Sequence, residues 1–198
     1  MAVDGVDGAG KTLFADELAD RLRHEGVPVI RAGVDGFHRP AAERYRRGRR
    51  SPEGFFLDSY DYASLHRVLL DPLSPGGTLR YRVAVFDLAS DAPVDHPMAV
   101  AEVGSILVVD GIFLHRDELV GEWDFSVFLR VSFAEATRRW QVRDGVEPRR
   151  RTTSDDRYVE GQRLYLTACH PERRASLLVD NNDLSAPFVV RAGERGTG

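Results

Sequence analysis

The fold of this chain is decided by its first twelve residues, Met1-Ala-Val-Asp-Gly5-Val-Asp-Gly-Ala-Gly10-Lys-Thr12. A short apolar strand runs into a glycine-rich loop that matches the pattern G-x-x-x-x-G-K-[ST]. After the loop, apolar residues recur every four positions at Phe14, Leu18 and Leu22, which predicts an amphipathic helix over residues 11 to about 24. A strand, a glycine loop and a helix in this order predict a backbone cradle for phosphate groups.

The side chains of this loop predict what it holds. Lys11 is expected to reach the β- and γ-phosphates of a nucleotide, and the Thr12 hydroxyl is expected to ligate Mg²⁺. Lys11 is also the only lysine, since the other 26 of the 27 Lys and Arg residues are arginine. We therefore expect Mg²⁺ and ATP (or GTP) as co-substrate. The predicted nucleotide-binding residues are Gly5, Asp7, Gly8, Ala9, Gly10, Lys11 and Thr12.

Two further predicted strands end in an acid. Residues 27–34 are mostly β-branched or apolar and end at Asp35, and the apolar residues 106–109 end at Asp110. Ligands bind at the carboxyl ends of parallel strands, so both acids are expected beside the glycine loop. Asp110 is predicted to hold Mg²⁺ or its waters, and Asp35 to orient or deprotonate an acceptor hydroxyl. The alternative for both is a plain Asp-Gly turn.

The alternation of strands and helices predicts an α/β protein with the three-layer P-loop NTPase fold, in which helices flank a central, mostly parallel sheet. Further predicted strands are 125–131, 176–180 as the last strand, and a pair within 78–86; further predicted helices are 62–70, 133–143 and 158–169. We expect one domain over 1–190, with a substrate-binding insertion at about 37–100. Within it, residues 37–61 are predicted to be irregular, as a substrate-facing loop, or to form a short, strongly basic helix. A mobile lid is predicted at about 138–157 and a disordered tail at 191–198. The first strand is short for a central strand, so we also expect residues upstream of Met1.

Composition narrows the class of protein. The 198 residues are 42% hydrophobic and 29% charged, which is typical of an ordinary globular chain. The lone Cys169 forms no internal disulfide, and no apolar run is long enough to cross a bilayer, so we expect a cytoplasmic protein without a membrane partner. A net charge of -4 opposes nucleic-acid binding over the whole surface. The expected partner is a small molecule, and nothing in the sequence indicates the oligomeric state.

Three more side chains are candidates from their positions. Arg139 and Arg143 lie four apart on one face of a predicted helix, which suits a lid that closes over a transferring phosphoryl group, whereas Arg138 is expected to face elsewhere. Helical arginines are more often solvated, and the same alternative holds for the basic runs 44–50 and 149–151. His38 is a candidate substrate contact, although a lone loop histidine is more often polar surface.

Taken in order, these motifs resemble the uridine kinase, phosphoribulokinase and pantothenate kinase group of P-loop kinases, and most closely the uridine kinases. The resemblance covers most of residues 1–183 and implies transfer of phosphate to a hydroxyl of a small sugar-containing molecule, such as the 5′-hydroxyl of uridine. The matching segments are GVDGAGKT (5–12), VDGFH (34–38), DSYD (58–61), VAVFD (83–87), LVVDG (107–111), RRWQVRD (138–144) and LLVDNN (177–182).

By similarity to uridine kinases, Asp35 is implied as the catalytic aspartate, Asp58 as a ligand of ribose hydroxyls and Phe86 as an aromatic side chain flanking the acceptor. The two arginines of the lid helix are implied to act on the phosphoryl group. Asp91 stands where uridine and cytidine kinases commonly have histidine. The basic stretch 39–50 is also compatible with an acceptor that already carries a phosphate or a carboxylate.

Two other functions stay open at this point. A nucleoside monophosphate kinase similar to thymidylate kinase has a comparable phosphate loop and a phosphate acceptor, but its usual Asp-Arg-Tyr segment is not evident here. A nucleotide-hydrolysing switch or nucleic-acid-associated protein is the third class. An Asn-Lys-x-Asp guanine-reading segment is excluded because Lys11 is the only lysine.

Overall fold

The computed structural model describes residues 1–143 and 153–193. Its strands are β1 (Ala2–Gly5), β2 (Val29–Gly33), β3 (Arg80–Tyr81), β4 (Phe86–Asp87), β5 (Ala92–Pro93), β6 (Ala99–Val100), β7 (Ile106–Gly111), β8 (Ser126–Arg130), β9 (Leu177–Asp180) and β10 (Phe188–Ala192). Six of them form the central sheet, in the order β10-β9-β8-β1-β7-β2. All neighbours in this sheet are parallel except β10, which runs antiparallel to β9.

The helices lie on both faces of this sheet. They are α1 (Lys11–His24), α2 (Ala41–Arg44), α3 (Pro52–Asp58), α4 (Tyr62–Leu65), α5 (Asp71–Leu73), α6 (Phe133–Arg143), α7 (Thr153–Cys169) and α8 (Pro171–Arg174). A π-helical turn at His66–Leu70 joins α4 to α5, and 3-10 turns occur at Val34–Phe37 and Val120–Glu122. No helix in the described part of the chain is long and apolar enough to cross a membrane.

Strand β1 shows how the layers form. All four of its residues are buried, and because alternate side chains of a strand point to opposite faces, neighbouring residues enter different cores. Ala2 joins one core with Phe113 of the β7–β8 connection and Tyr165 of α7. Val3 joins the other core, which includes Ala15 of α1. The predicted three-layer α/β fold with a mostly parallel sheet is confirmed.

Several predicted elements differ from the structure. The stretch 37–61, predicted as irregular or as a short basic helix, contains the two short helices α2 and α3. The predicted strand pair within 78–86 is wrong, because β3 pairs with β6 and β4 pairs with β5. These strands have only two residues each, and their partners lie in later loops, so local sequence carries little signal for them.

The end of the chain also differs from prediction. β9 was predicted as the last strand, but β10 follows it and extends through Ala192, two residues into the predicted disordered tail. Residues 194–198 lie outside the described residues. Of the predicted lid at 138–157, α6 covers 138–143 and α7 begins at Thr153, while 144–152 lie outside the described residues.

Candidate active site

The glycine loop lies between β1 and α1, at the carboxyl edge of the sheet. Gly8 and Gly10 both have left-handed backbone conformations, with φ of 77° and 86°, which glycine adopts without strain. α1 has no side-chain cap and no acidic residue in its first turn. Its N-terminal N–H groups therefore point to an open anion site.

The loop is held in shape by one bond within it and by contacts with residues that are distant in sequence. The Asn181 side chain, which follows β9, donates to the carbonyl of Ala9 at 2.7 Å. Lys11 Nζ donates to the Val6 carbonyl across the loop at 2.9 Å. A Cβ atom at Gly8 would lie 2.3 Å from the carbonyl oxygen of Ala136 in α6. The glycine loop is therefore packed directly against the helix that carries the predicted lid arginines.

A glutamine of α7 pairs with the loop residue Asp7. The backbone N–H of Asp7 donates to Gln162 Oε1 at 2.7 Å, and Gln162 Nε2 donates to Asp7 Oδ2 at 3.3 Å. Gln162 is 4% exposed. Sequence reasoning missed this residue, since its partner lies 155 positions away and one glutamine in a helix carries no local signal.

The two predicted metal ligands lie together. The hydroxyl of Thr12 donates to Asp110 Oδ2 at 2.7 Å, and the Asp110 side chain is 10% exposed. The other carboxylate oxygen, Oδ1, accepts from Arg31 of β2 at 3.0 Å. Hydroxyl and carboxylate oxygens fit Mg²⁺, which takes few protein ligands when phosphates supply the rest. No group of three or more His, Cys, Asp or Glu side chains that could hold a metal ion occurs in the described residues.

A cavity of about 450 Å³ opens beside the loop. It is lined by Gly8, Gly10, Lys11, Thr12, Leu13, Arg138, Arg139, Val142 and Leu184. The three apolar side chains of this wall are between 49% and 71% exposed, so they form exposed apolar surface beside the glycine loop. The cavity therefore lies between an apolar wall and the backbone loop that was predicted to bind phosphates.

Arg139 lies on the rim of this cavity in a fixed position. Its guanidinium donates to Glu135 of the same helix at 2.7 Å and to the carbonyls of Asn181 and Asn182 at 2.9 and 2.7 Å. Hydrogen bonds from Arg138 and Arg139 lower the pKa of Glu135 to about 2. Arg138, which was predicted to face elsewhere, lines the same cavity. Arg143 is the last residue of α6, and its side chain lies outside the described part.

Asp35 follows β2 in a 3-10 turn, and its side chain is 77% exposed. The hydroxyl of Tyr60 donates to Asp35 Oδ1 at 3.0 Å. Burial raises the pKa of Tyr60 well above its ordinary value, and the charges of Asp35 and Asp7 add to the effect. Tyr60 therefore stays protonated and fixes one oxygen of Asp35, while the Asp35 side chain as a whole remains largely exposed. Tyr60 lies within the quoted DSYD segment, but sequence reasoning gave it no role.

His38 connects the same segments and is 8% exposed, so the alternative of a polar surface histidine is wrong. Its Nδ1 lies 2.9 Å from the carbonyl of Asp35, and its ring lies 4.5 Å from the ring of Tyr60. Burial lowers the pKa of His38, and the charge of Arg44 lowers it further.

Three sequence segments that were predicted to form the acceptor side meet here. Arg39 N–H donates to the Ser59 carbonyl at 2.9 Å, and Val85 N–H donates to the Gly36 carbonyl at 2.9 Å. Phe86, in β4, is only 6% exposed, so it contributes a buried wall rather than an open stacking face.

Asp58 is buried and already engaged. Its side chain is 9% exposed and accepts from Arg46 at 3.2 Å and Arg47 at 2.9 Å. Asp91 accepts from the backbone N–H of Ala41 at 3.0 Å and from Arg44 at 2.6 Å. Several arginines of the basic stretch therefore have carboxylate partners.

Behind the phosphate loop, a buried polar network surrounds Asp4, the residue before Gly5. Asp4 is fully buried, and its carboxylate accepts from Gly5 N–H at 2.7 Å and from the hydroxyl of Tyr165. His115 Nδ1 lies 2.7 Å from Asp4 Oδ2, and His115 Nε2 lies 2.9 Å from Ser126 Oγ. These residues come from four separate elements, and an aspartate inside an otherwise apolar strand was the only sequence signal for them.

Comparisons with known proteins agree with this architecture. A structure of a "possible uridine kinase" from Bacillus stearothermophilus matches with a TM-score of 0.70 and 21% identity, covering 89% of this chain and 85% of that one. Phosphoribulokinase from Rhodobacter sphaeroides matches with a TM-score of 0.56 and 17% identity, covering 98% and 75%. D-glycerate 3-kinase from Cryptococcus neoformans var. grubii matches with a TM-score of 0.56 and 11% identity, covering 95% and 88%. No family model and no curated protein matches. At these identities the likeness establishes the shared fold.

Proposed function

We propose that this chain is a cytoplasmic kinase that transfers the γ-phosphoryl group of ATP (or GTP) to a hydroxyl of a small sugar-containing molecule. The observation that carries the proposal is the placement of Asp35. It is an exposed carboxylate held by a buried tyrosine at the same sheet edge as the phosphate loop, and the charge of Asp7 in that loop acts on the same tyrosine. The solved structures that share the fold include kinases of this group.

The described residues divide the work of the reaction. Lys11, Arg139 and the N–H groups of the loop would bind the phosphates and balance the charge that develops on them. Thr12 and Asp110 would hold Mg²⁺, which when bound with the nucleotide supplies charge neutralisation at the phosphates.

On the acceptor side, Asp35 would orient the hydroxyl and take its proton. A bond forms between the hydroxyl oxygen and the γ-phosphorus, and the bond from that phosphorus to the β–γ bridging oxygen breaks, which releases ADP. Because phosphoryl transfer depends mainly on positioning, the fixed orientation of Asp35 by Tyr60 matters as much as its basicity.

We propose a nucleoside such as uridine, phosphorylated on its 5′-hydroxyl, as the first acceptor to test. The resemblance of the segment at Asp58 to the ribose ligand of uridine kinases supports this choice. The structure adds an argument about charge, since Arg44, Arg46 and Arg47 are paired with Asp58 and Asp91. The two carboxylates offset two of these three positive charges, which weakens the attraction of the basic stretch for an anionic acceptor and makes a neutral acceptor the first choice.

The test is ADP release with Mg²⁺ and ATP over a panel of acceptors: uridine, cytidine, other nucleosides, pantothenate, ribulose 5-phosphate, glycerate and thymidine monophosphate. Release that depends on a hydroxyl acceptor and is abolished by Lys11→Ala and by Asp35→Asn supports the proposal. Stimulation by thymidine monophosphate alone would instead indicate a nucleoside monophosphate kinase. Nucleotide binding through Lys11 with no stimulation by any acceptor would favour a nucleotide switch.

A further inference from the structure

The predicted metal ligand Asp110 has a positively charged partner that the kinase proposal does not require. Arg31, in β2, pairs in register with Val108 of β7. Side chains two positions apart on a strand share a face, so Arg31 and Asp110 lie on the same side of the sheet. The guanidinium therefore reaches along the sheet towards the carboxyl edge where the phosphate loop lies.

The contacts of Arg31 fix its position. Nη2 lies 3.0 Å from Asp110 Oδ1 and 2.8 Å from Asp16 Oδ1 of α1. Nη1 donates to the carbonyl of Val108 at 2.9 Å. Only 17% of the Arg31 side chain is exposed, so solvent screens its charge less than that of a surface arginine. The Asp16 side chain, on the other side of Arg31, is 57% exposed.

This arrangement leaves the two oxygens of Asp110 in different states. Oδ1 is paired with Arg31, which it shares with the more exposed Asp16, and Oδ2 accepts from the Thr12 hydroxyl at the start of α1. A divalent cation arriving alone therefore meets a carboxylate whose charge is partly offset by Arg31. A cation arriving with a nucleotide brings the negative charge of the phosphates with it.

We propose that Arg31 acts as a charge-balancing positioning residue that keeps Asp110 from binding a free divalent cation, so that the metal enters only with the nucleotide. This inference rests on the proposed function, because it takes Asp110 as the metal-binding acid. Removal of the guanidinium leaves a partly buried carboxylate without its partner, which increases its attraction for a divalent cation.

The experiment measures binding of Mn²⁺, by electron paramagnetic resonance, to the nucleotide-free full chain and again with ATP present. For nucleotide-free Arg31→Met we expect the Mn²⁺ Kd to fall by about tenfold, the order expected when one charge is removed near a partly buried site. Arg31→Lys retains the charge and is expected to keep a Kd within about twofold of the wild type. Asp16→Asn is the matched control, since it removes the exposed partner of Arg31 and leaves the pair with Asp110 intact.

An unchanged or higher Kd in Arg31→Met, or equal values for Arg31→Met and Arg31→Lys, would overturn the inference. Arg31→Gln provides a second neutral variant if the Met variant unfolds, and thermal melts establish that each variant is folded. Asp110→Asn distinguishes a failure of the proposed metal role of Asp110 from a failure of the inference about Arg31. If it leaves Mn²⁺ binding with ATP unchanged, the metal role of Asp110 in the proposed function fails; if it weakens that binding while Arg31→Met changes nothing, only the inference fails.

Discussion

Replacement of Gly8 by alanine tests whether the phosphate loop is held in place by its contact with α6. Gly8 has a φ of 77°, and alanine in this left-handed region costs about 1–2 kcal/mol. The new Cβ would also lie 2.3 Å from the carbonyl oxygen and 3.2 Å from the Cα of Ala136. An ordinary C···O contact is about 3.3–3.6 Å, so the loop and α6 must separate by roughly 1 Å.

Overpacking of this kind costs about 1–3 kcal/mol, so the total for Gly8→Ala is about 2–5 kcal/mol. Gly26→Ala is the matched control, because Gly26 has nearly the same φ of 81° but no atom within 4 Å of the new Cβ. The free energy of unfolding of Gly26→Ala should fall only by the cost of the left-handed backbone conformation, about 1–2 kcal/mol. Urea unfolding gives the free energy of unfolding of each variant.

Displacement of α6 should also weaken nucleotide binding in Gly8→Ala, since this helix positions Arg139 at the cavity rim. Gly26→Ala lies at the far end of α1 and should bind nucleotide normally. Equal losses of stability in the two variants would refute the reasoning, because the close approach to Ala136 would then contribute nothing.

Three further predictions follow from the site and the buried network. Asp35→Asn should lower kcat by about 10²–10⁴-fold with little change in the KM for ATP. A kcat equal to that of the wild type in steady-state assays would show that Asp35 does not take part in the transfer step. The lowered pKa of His38 means that the unfolded chain takes up the proton more readily, so wild-type stability should fall as pH drops below about 6.5. Urea unfolding at two pH values should show a smaller fall in His38→Gln, and an equal fall would contradict this assignment. Tyr165→Phe removes a donor to the buried carboxylate of Asp4 and should cost about 1.5–3 kcal/mol. The matched variant Tyr62→Phe removes a buried hydroxyl with no hydrogen-bond partner among the described residues and should cost little or stabilise; calorimetry showing equal losses would count against the network.

The parts of the fold that sequence predicts well are those with local signals. The glycine loop with α1 over Lys11–His24 and the apolar strand β7 were predicted nearly to the residue, because spacing and burial are visible within one segment. β10 was missed because all but one of its five residues are exposed, so no burial pattern marks it.

The site was predicted only in part, for a related reason. Asp35, Thr12 and Asp110 stand at strand ends and in a motif, where the topology of a parallel sheet predicts that they meet. The residues that orient them have no such signal. Arg31 reaches Asp110 across 79 positions and Gln162 reaches the loop across 155, and only the packed structure brings these pairs together.

The most direct test of the central claim is mass spectrometry of the acceptor after incubation with Mg²⁺, ATP and the wild-type chain, with Asp35→Asn as the control. The account predicts that uridine or another sugar-containing acceptor gains the mass of one phosphoryl group, in step with ADP formation, and that the control yields no product. Release of inorganic phosphate and ADP without any phosphorylated acceptor would contradict it.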